Sequence, residues 1–204
     1  MTAGPTIEFI FDFASPNAYL AHKGLKDVSQ RTGARIAIIP CLLGGIFKAT
    51  GNRAPFVAFG GIKGKLDYDL LEIRRFIARQ GLTAFRMNPH FPVNSLLAMR
   101  GLCALDPGEA FDRYVEAVLA GFWEQGLAMA DPLVLQGVLD RAGLDGADLL
   151  ARACTDPVKA RLAANTTAAV HRNVFGVPTF FVGDEMFFGK ERLDQIEALV
   201  ASLS

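Results

Sequence analysis

The stretch Ile7–Leu20, Ile-Glu-Phe-Ile-Phe-Asp-Phe-Ala-Ser-Pro-Asn-Ala-Tyr-Leu, alternates and then breaks at Ser15-Pro16. Alternation of this kind reads as a short buried strand. A serine followed by proline reads as a helix N-cap with proline at the first helical position, where its missing N–H is no loss. A strand therefore runs straight into a helix. The first-turn N–H groups have no intrahelical partners and the macrodipole adds roughly half a positive charge. Such a junction stabilises an anion beside the Ser15 hydroxyl, and a thiolate is one such anion. Taken alone, Ser15 reads equally well as a plain helix cap.

From Pro16 to about Arg31, Tyr19, Leu20, Leu25 and Val28 recur at helical spacings, and Gly33 marks a stop. Ile36-Ala-Ile-Ile39 before Pro40 is a second strand, so the opening is a β-α-β unit with parallel strands. The glycine-rich segment from Leu43 to Lys65 carries several cations and an amide, and reads as an irregular functional or solvated loop. The pattern is then helical to Phe175. Leu66, Leu70, Ile73 and Ile77 form one face of a helix ended by Gly81, and a second helix covers Val93 to Leu105. Asp106-Pro107 with Glu109, Asp131-Pro132 and Asp156-Pro157 each read as helix starts. The stripes between them, Phe111 to Phe122 and then Leu133, Leu135 and Leu139, are read as core. Val174 to Val182 and Glu185 to Phe188 flank Gly183-Asp184 as a hairpin, and a last helix runs from about Arg192 to Leu203.

That order, β-α-β, a long helical stretch, then β-β-α, is an α/β thioredoxin-like arrangement with a large all-helical insertion. The expected division is a core from residues 1–42 and 173–204 and a helical domain from 43–172. A chain of 204 residues that is 51% hydrophobic can bury one substantial core. Lys+Arg and Asp+Glu both number 21, which argues against a nucleic-acid surface or a polybasic membrane patch. The N-terminal residues before Ile7 lack a basic region and a long apolar run, so neither a signal peptide nor a membrane span is expected, and the location is read as cytoplasmic. Cys41, Cys103 and Cys154 are odd in number and far apart, so no disulfide framework or metal site is indicated.

Several segments together carry a resemblance: Phe11–Pro16; residues 40–52 with Gly-Gly-Ile-Phe-Lys-Ala-Thr-Gly-Asn; Lys65–Tyr68; Phe91–Arg100; and Phe175–Gly189. Over nearly the whole chain the sequence resembles the 2-hydroxychromene-2-carboxylate isomerase family, bacterial relatives of kappa-class glutathione transferases in the DsbA-like branch of the thioredoxin superfamily. The resemblance puts Ser15 where redox relatives carry the first cysteine, so Ser15-Pro16-Asn17-Ala18 replaces Cys-x-x-Cys. No thiol-disulfide exchange is then expected. What remains is a hydroxyl able to donate to the sulfur of reduced glutathione, the implied cofactor. A free thiol, with a pKa near ~8.5, is only slightly ionised at neutral pH, and such a donor at a helix N-terminus lowers that value.

The resemblance also implies a cis peptide at Val177-Pro178, with Val177 backbone groups pairing with the cysteinyl backbone of glutathione. After Gly189 the family pattern has a small polar residue, Asp and Arg, which hold the γ-glutamyl end. This chain has Lys190-Glu191-Arg192, so a carboxylate is kept in Glu191 and the small donor is lost at Lys190. Asn52 and Lys63 match loop positions that reach glutathione in the relatives.

The implied function is glutathione-dependent cis-trans isomerisation of 2-hydroxychromene-2-carboxylate with trans-o-hydroxybenzylidenepyruvate, or of a similar aromatic 2-oxo acid. Even a partial double bond such as an amide has a rotation barrier of ~18–20 kcal/mol, so a full carbon-carbon double bond does not rotate unaided. Thiolate addition removes it. The developing enolate and the substrate carboxylate require cations, for which Lys48, Lys63 and Arg53 are all candidates, and His90 is a candidate proton shuttle or substrate contact. A glutathione transferase and a non-catalytic thioredoxin-like binding protein are the alternatives. A homodimer is expected by resemblance.

Overall fold

A computed structural model describes residues 4–203; the first three residues of the N-terminal segment read above for a targeting signal lie outside it. The first strand, β1 (Thr6–Phe11), leads through Ser15 into helix α1 (Pro16–Thr32), which Gly33 ends at a positive φ of 71°. Strand β2 (Arg35–Pro40) follows and pairs in parallel with β1. The chain returns to the sheet as β3 (Thr179–Val182) and β4 (Glu185–Phe188), joined through Gly183 at φ 58°, and ends in α10 (Leu193–Ser202). The sheet is mixed, in the order β2-β1-β3-β4, with β3 antiparallel to both of its neighbours. An α/β thioredoxin-like architecture is thus present.

The two-residue period of β1 divides the packing between the two faces of the sheet. Ile7, Phe9 and Phe11 join a large core with α1, while Ile10 points into a smaller one with Cys41, Ile46, Val174 and Phe181. Between β2 and β3 lie α2 (Leu43–Thr50), α3 (Pro55–Ala58), α4 (Lys65–Gln80), α5 (Leu96–Cys103), α6 (Glu109–Trp123), α7 (Pro132–Arg141), α8 (Gly146–Ala153) and α9 (Asp156–His171). The large core runs on without a break from Phe9, Phe11 and Phe13 into Tyr114, Phe122 and Trp123 of α6 and Leu135 of α7.

Several local expectations are corrected. The glycine-rich segment is not a continuous loop: α2 forms at once, capped by Gly51 at φ 72°, because Ile46 finds a buried partner face beside α9. Helix α6 begins at Glu109 rather than at Asp106, whose carboxylate pairs instead with Arg161 at 3.2 Å. Asp131 does cap α7 by accepting from Leu133 N–H, but Thr155 rather than Asp156 precedes α9. Helix α8 was not anticipated; Asp145 caps it, and a Cβ at Gly146 would stand 2.8 Å from the Gln136 carbonyl of α7. Leu133 is 79% exposed and is not core. On α4 the buried residue is Phe76, while Leu66 and Leu70 turn toward a cavity described below. Strand β3 starts only after Pro178, which has no N–H to give a ladder. Among the described residues no helix is long and apolar enough to cross a membrane.

Candidate active site

Ser15 sits at the N-cap of α1 in extended backbone (φ −96°, ψ 116°), and its Oγ accepts from the Ala18 N–H at 3.2 Å. The same hydroxyl donates across 162 residues of chain to the Val177 carbonyl, at 3.3 Å. The Val177-Pro178 peptide is cis, as the resemblance implied; a second cis bond, Phe91-Pro92, was not foreseen. No acidic residue stands in the first turn of α1. The N–H groups of Asn17 and Val177 have no hydrogen-bond partner among the described residues. The positive end of α1 and one backbone edge at Val177 thus face the same place.

Two features hold this junction, and neither was read from the sequence. Asp12, fully buried, accepts from the Ala14 N–H (2.9 Å), the Leu43 N–H (2.6 Å) and the Ser95 hydroxyl (2.5 Å). It therefore ties the end of β1 to the starts of α2 and α5. Burial raises its pKa above the ordinary carboxylate value, with those three hydrogen bonds opposing. The indole N–H of Trp123 donates to the Phe13 carbonyl at 2.9 Å, which anchors the same turn to α6. Asp12 had one visible signal, a carboxylate inside an apolar run. Ser95 and Trp123 had none, because their partners are distant in sequence.

A cavity of about 970 Å³ opens beside Ser15, near the upper end of the roughly 300–1,000 Å³ usual for small-molecule sites. Its wall is mostly apolar and aromatic, with Phe47, Phe56, Phe59, Phe91, Phe175 and Phe188 from five different segments. Of the residues singled out by sequence, Ser15, Asn52, Arg53 and Val177 line it. Asn52 spends part of its amide on the protein, donating to the Phe175 carbonyl (2.7 Å) and accepting from the Arg53 N–H (2.8 Å). Lys48, Lys63, His90, Lys190, Glu191 and Arg192 are not brought to the cavity wall, and neither is Pro178 beyond its shared peptide with Val177. Lys190 is buried, pairs with Glu191 and lies 5.7 Å from the Phe76 ring. His90 is exposed, its N–H held by the Asn88 side chain at 2.8 Å.

The three cysteines are free, and none adjoins Ser15 in the motif. Burial, helped by Asp12, pushes the Cys41 thiol up to about 12, and burial, opposed by Arg161, pushes Cys103 up to about 11. Neither buried thiol is a nucleophile at neutral pH.

The DSBA-like thioredoxin domain family matches residues 6–201. A 2-hydroxychromene-2-carboxylate isomerase from Sphingobium xenophagum is 32% identical over 199 residues, spanning 95% of this chain and 96% of that one. Glutathione S-transferase kappa 1 from Rattus norvegicus is 24% identical over 207 residues, spanning 95% of this chain and 90% of its own. A solved structure of a 2-hydroxychromene-2-carboxylate isomerase superposes with a TM-score of 0.85 at 29% identity, covering 97% of this chain and 95% of that one. With a serine capping the helix where a redox protein needs a thiol, and relatedness along nearly its whole length, the chain belongs to the 2-hydroxychromene-2-carboxylate isomerase family of DSBA-like thioredoxin-domain proteins.

Proposed function

We propose that the protein is a glutathione-dependent cis-trans isomerase of aromatic 2-oxo acids, interconverting 2-hydroxychromene-2-carboxylate and trans-o-hydroxybenzylidenepyruvate or a close analogue. The observation that carries the reading is the Ser15 hydroxyl at the α1 N-terminus, 3.3 Å from the Val177 carbonyl and open to a large aromatic-walled cavity. The residues present suit reduced glutathione: Val177 offers an unpaired N–H and a carbonyl to a peptide-like backbone, and the helix end suits a thiolate. When bound, glutathione would supply a thiolate able to add reversibly to the conjugated double bond, allowing rotation about a single bond before the thiol is released unchanged.

Ser15 has the central task. By turning its hydroxyl from the Val177 carbonyl toward sulfur, it stabilises the ionised thiol and frees that carbonyl for a backbone N–H of the ligand. The Asn17 N–H adds a second donor at the same helix end. Asp12 and Trp123 keep the turn in place through the contacts described above. The phenylalanine walls stack on a planar aromatic substrate and exclude water, which strengthens every charge interaction inside. Of the residues proposed from the resemblance for the γ-glutamyl end, Lys190, Glu191 and Arg192 lie off the cavity wall and would take part only through an extended ligand arm reaching past Val177.

A homodimer in the cytoplasm belongs to the same reading. The exposed apolar residues Val57 and Ile62, beside Phe56 and Phe59 of the cavity wall, give a second copy something to cover, and three free cysteines suit a reducing compartment. The test is glutathione binding by calorimetry followed by turnover of an aromatic 2-oxo enone. Isomerisation with glutathione recovered in full supports the reading. Stoichiometric loss of glutathione would make the protein a kappa-like transferase instead, and absence of glutathione binding would remove both.

A further inference from the structure

Among the described residues, three ionisable side chains line the cavity: Asp12, Asp69 and Arg53. Two are already satisfied by the protein. Asp12 accepts from three donors, and Asp69 is paired with Lys65, whose ammonium also lies 5.1 Å from the Phe59 ring. Arg53 differs. Its guanidinium has no ion pair or hydrogen bond among the described residues, and it projects from a turn that is itself fastened. Gly51 ends α2 before it and Pro55 opens α3 after it, while Asn52 clamps the turn to the Phe175 carbonyl, two residues from Val177. An unpaired cation on a fastened turn, at a mostly apolar and aromatic cavity wall, asks for one anion on an aromatic body.

We propose that Arg53 receives the carboxylate of the aromatic substrate and thereby restricts this site to anionic enones. The inference rests on the isomerase reading for the reaction, but not for the binding. It separates Arg53 from Lys48 and Lys63, which the sequence could not rank: all three are exposed, but only Arg53 lines the cavity. Guanidinium suits the role better than ammonium because its planar fork binds a carboxylate through two parallel hydrogen bonds. Glutathione also carries carboxylates, so the test must separate the two sources.

The experiment compares wild type, Arg53→Gln and Arg53→Lys with two probes, trans-o-hydroxybenzylidenepyruvate and its methyl ester, by calorimetry without glutathione and by turnover with it. Wild type should prefer the acid. Arg53→Gln should weaken the acid roughly ten- to a hundredfold, the loss expected of a charge-assisted hydrogen bond, and erase the preference for acid over ester. Arg53→Lys should fall between, and glutathione affinity should hold in all three proteins. Equal binding of acid and ester by wild type overturns the proposal. So does a fall in glutathione affinity on Arg53→Gln with the acid preference intact, since Arg53 would then hold the thiol's own carboxylate. Acid preference without any isomerisation would sink the isomerase reading and leave the Arg53 assignment standing.

Discussion

Replacing Ser15 by alanine removes a single oxygen that makes two contacts, and the two consequences can be measured apart. Losing the cap to Ala18 costs about 0.5–2 kcal/mol. Losing the bond to the Val177 carbonyl costs about 0.5 kcal/mol more, a small value because 3.3 Å is longer than the roughly 2.5–3.0 Å usual for O–H···O. A total of about 1–2.5 kcal/mol sits below the roughly 5–15 kcal/mol of an ordinary domain, so the variant folds, with a Tm lower by a few to about ten degrees. The chemical effect is separate. A hydrogen bond from Ser15 to an ionised sulfur contributes roughly 1.5–3 kcal/mol, equivalent to about one to two units in the pKa of the bound thiol. Ultraviolet thiolate absorbance of the glutathione complex, followed across pH, should therefore shift upward by that amount in Ser15→Ala. Turnover near neutral pH should drop about ten- to a hundredfold, and recover in part as pH rises. If both absorbance and turnover at neutral pH match wild type, Ser15 is a helix cap and the thiolate is held by something else.

Further outcomes follow from the same packing. A disulfide-exchange reagent should label the exposed Cys154 first and reach Cys41 and Cys103 only on unfolding; rapid labelling of either buried thiol in the native protein would contradict their burial. Gly101→Ala should lose about 1–3 kcal/mol in denaturant titration, since the new Cβ would stand 2.2 Å from the Tyr114 hydroxyl, itself donating to the Ala98 carbonyl. Adding Tyr114→Phe should return part of that loss, and strict additivity of the two changes would argue against the clash. Burial acts to raise Glu116, but His22, Lys26 and Lys23 outweigh it and hold the carboxyl well below the usual range. A folded pKa below the unfolded one gives stability that is present above pH 4.5 and is lost as pH falls through the lower folded value. Glu116→Gln should thus cost about 1 kcal/mol at neutral pH, discounted for its partial exposure, with the gap to wild type closing in acid; a gap constant with pH would mean that the charge is irrelevant.

What was legible in the sequence is what neighbours along the chain decide. The strand ending at Ser15-Pro16, the glycine stops at Gly33 and Gly81, the Asp131-Pro132 start and the Gly183-Asp184 turn depend on local dihedral preference and hydrogen bonds within a few residues. That Ser15-Pro16-Asn17-Ala18 holds no thiol is likewise a matter of chain identity, and it argued against thiol-disulfide exchange at that position. The short helices α2 and α8 escaped because a weak local signal was completed by a distant surface: Ile46 packs with Val174 and Ala169, and Gly146 fits beneath the Gln136 carbonyl.

Tertiary structure alone decided which polar residues share a chamber. Arg53 and Lys63 lie ten positions apart in one basic, glycine-rich segment, yet Asn52 fastens the first to Phe175 and only the first reaches the cavity wall. Asp12 stands out in the sequence only as a carboxylate inside an apolar run, and its partners Leu43 and Ser95, from two other segments, appear only in the fold. A buried polar group is tolerated only where several separate pieces of chain converge to satisfy it, and that convergence has no period or motif along the sequence from which it can be read.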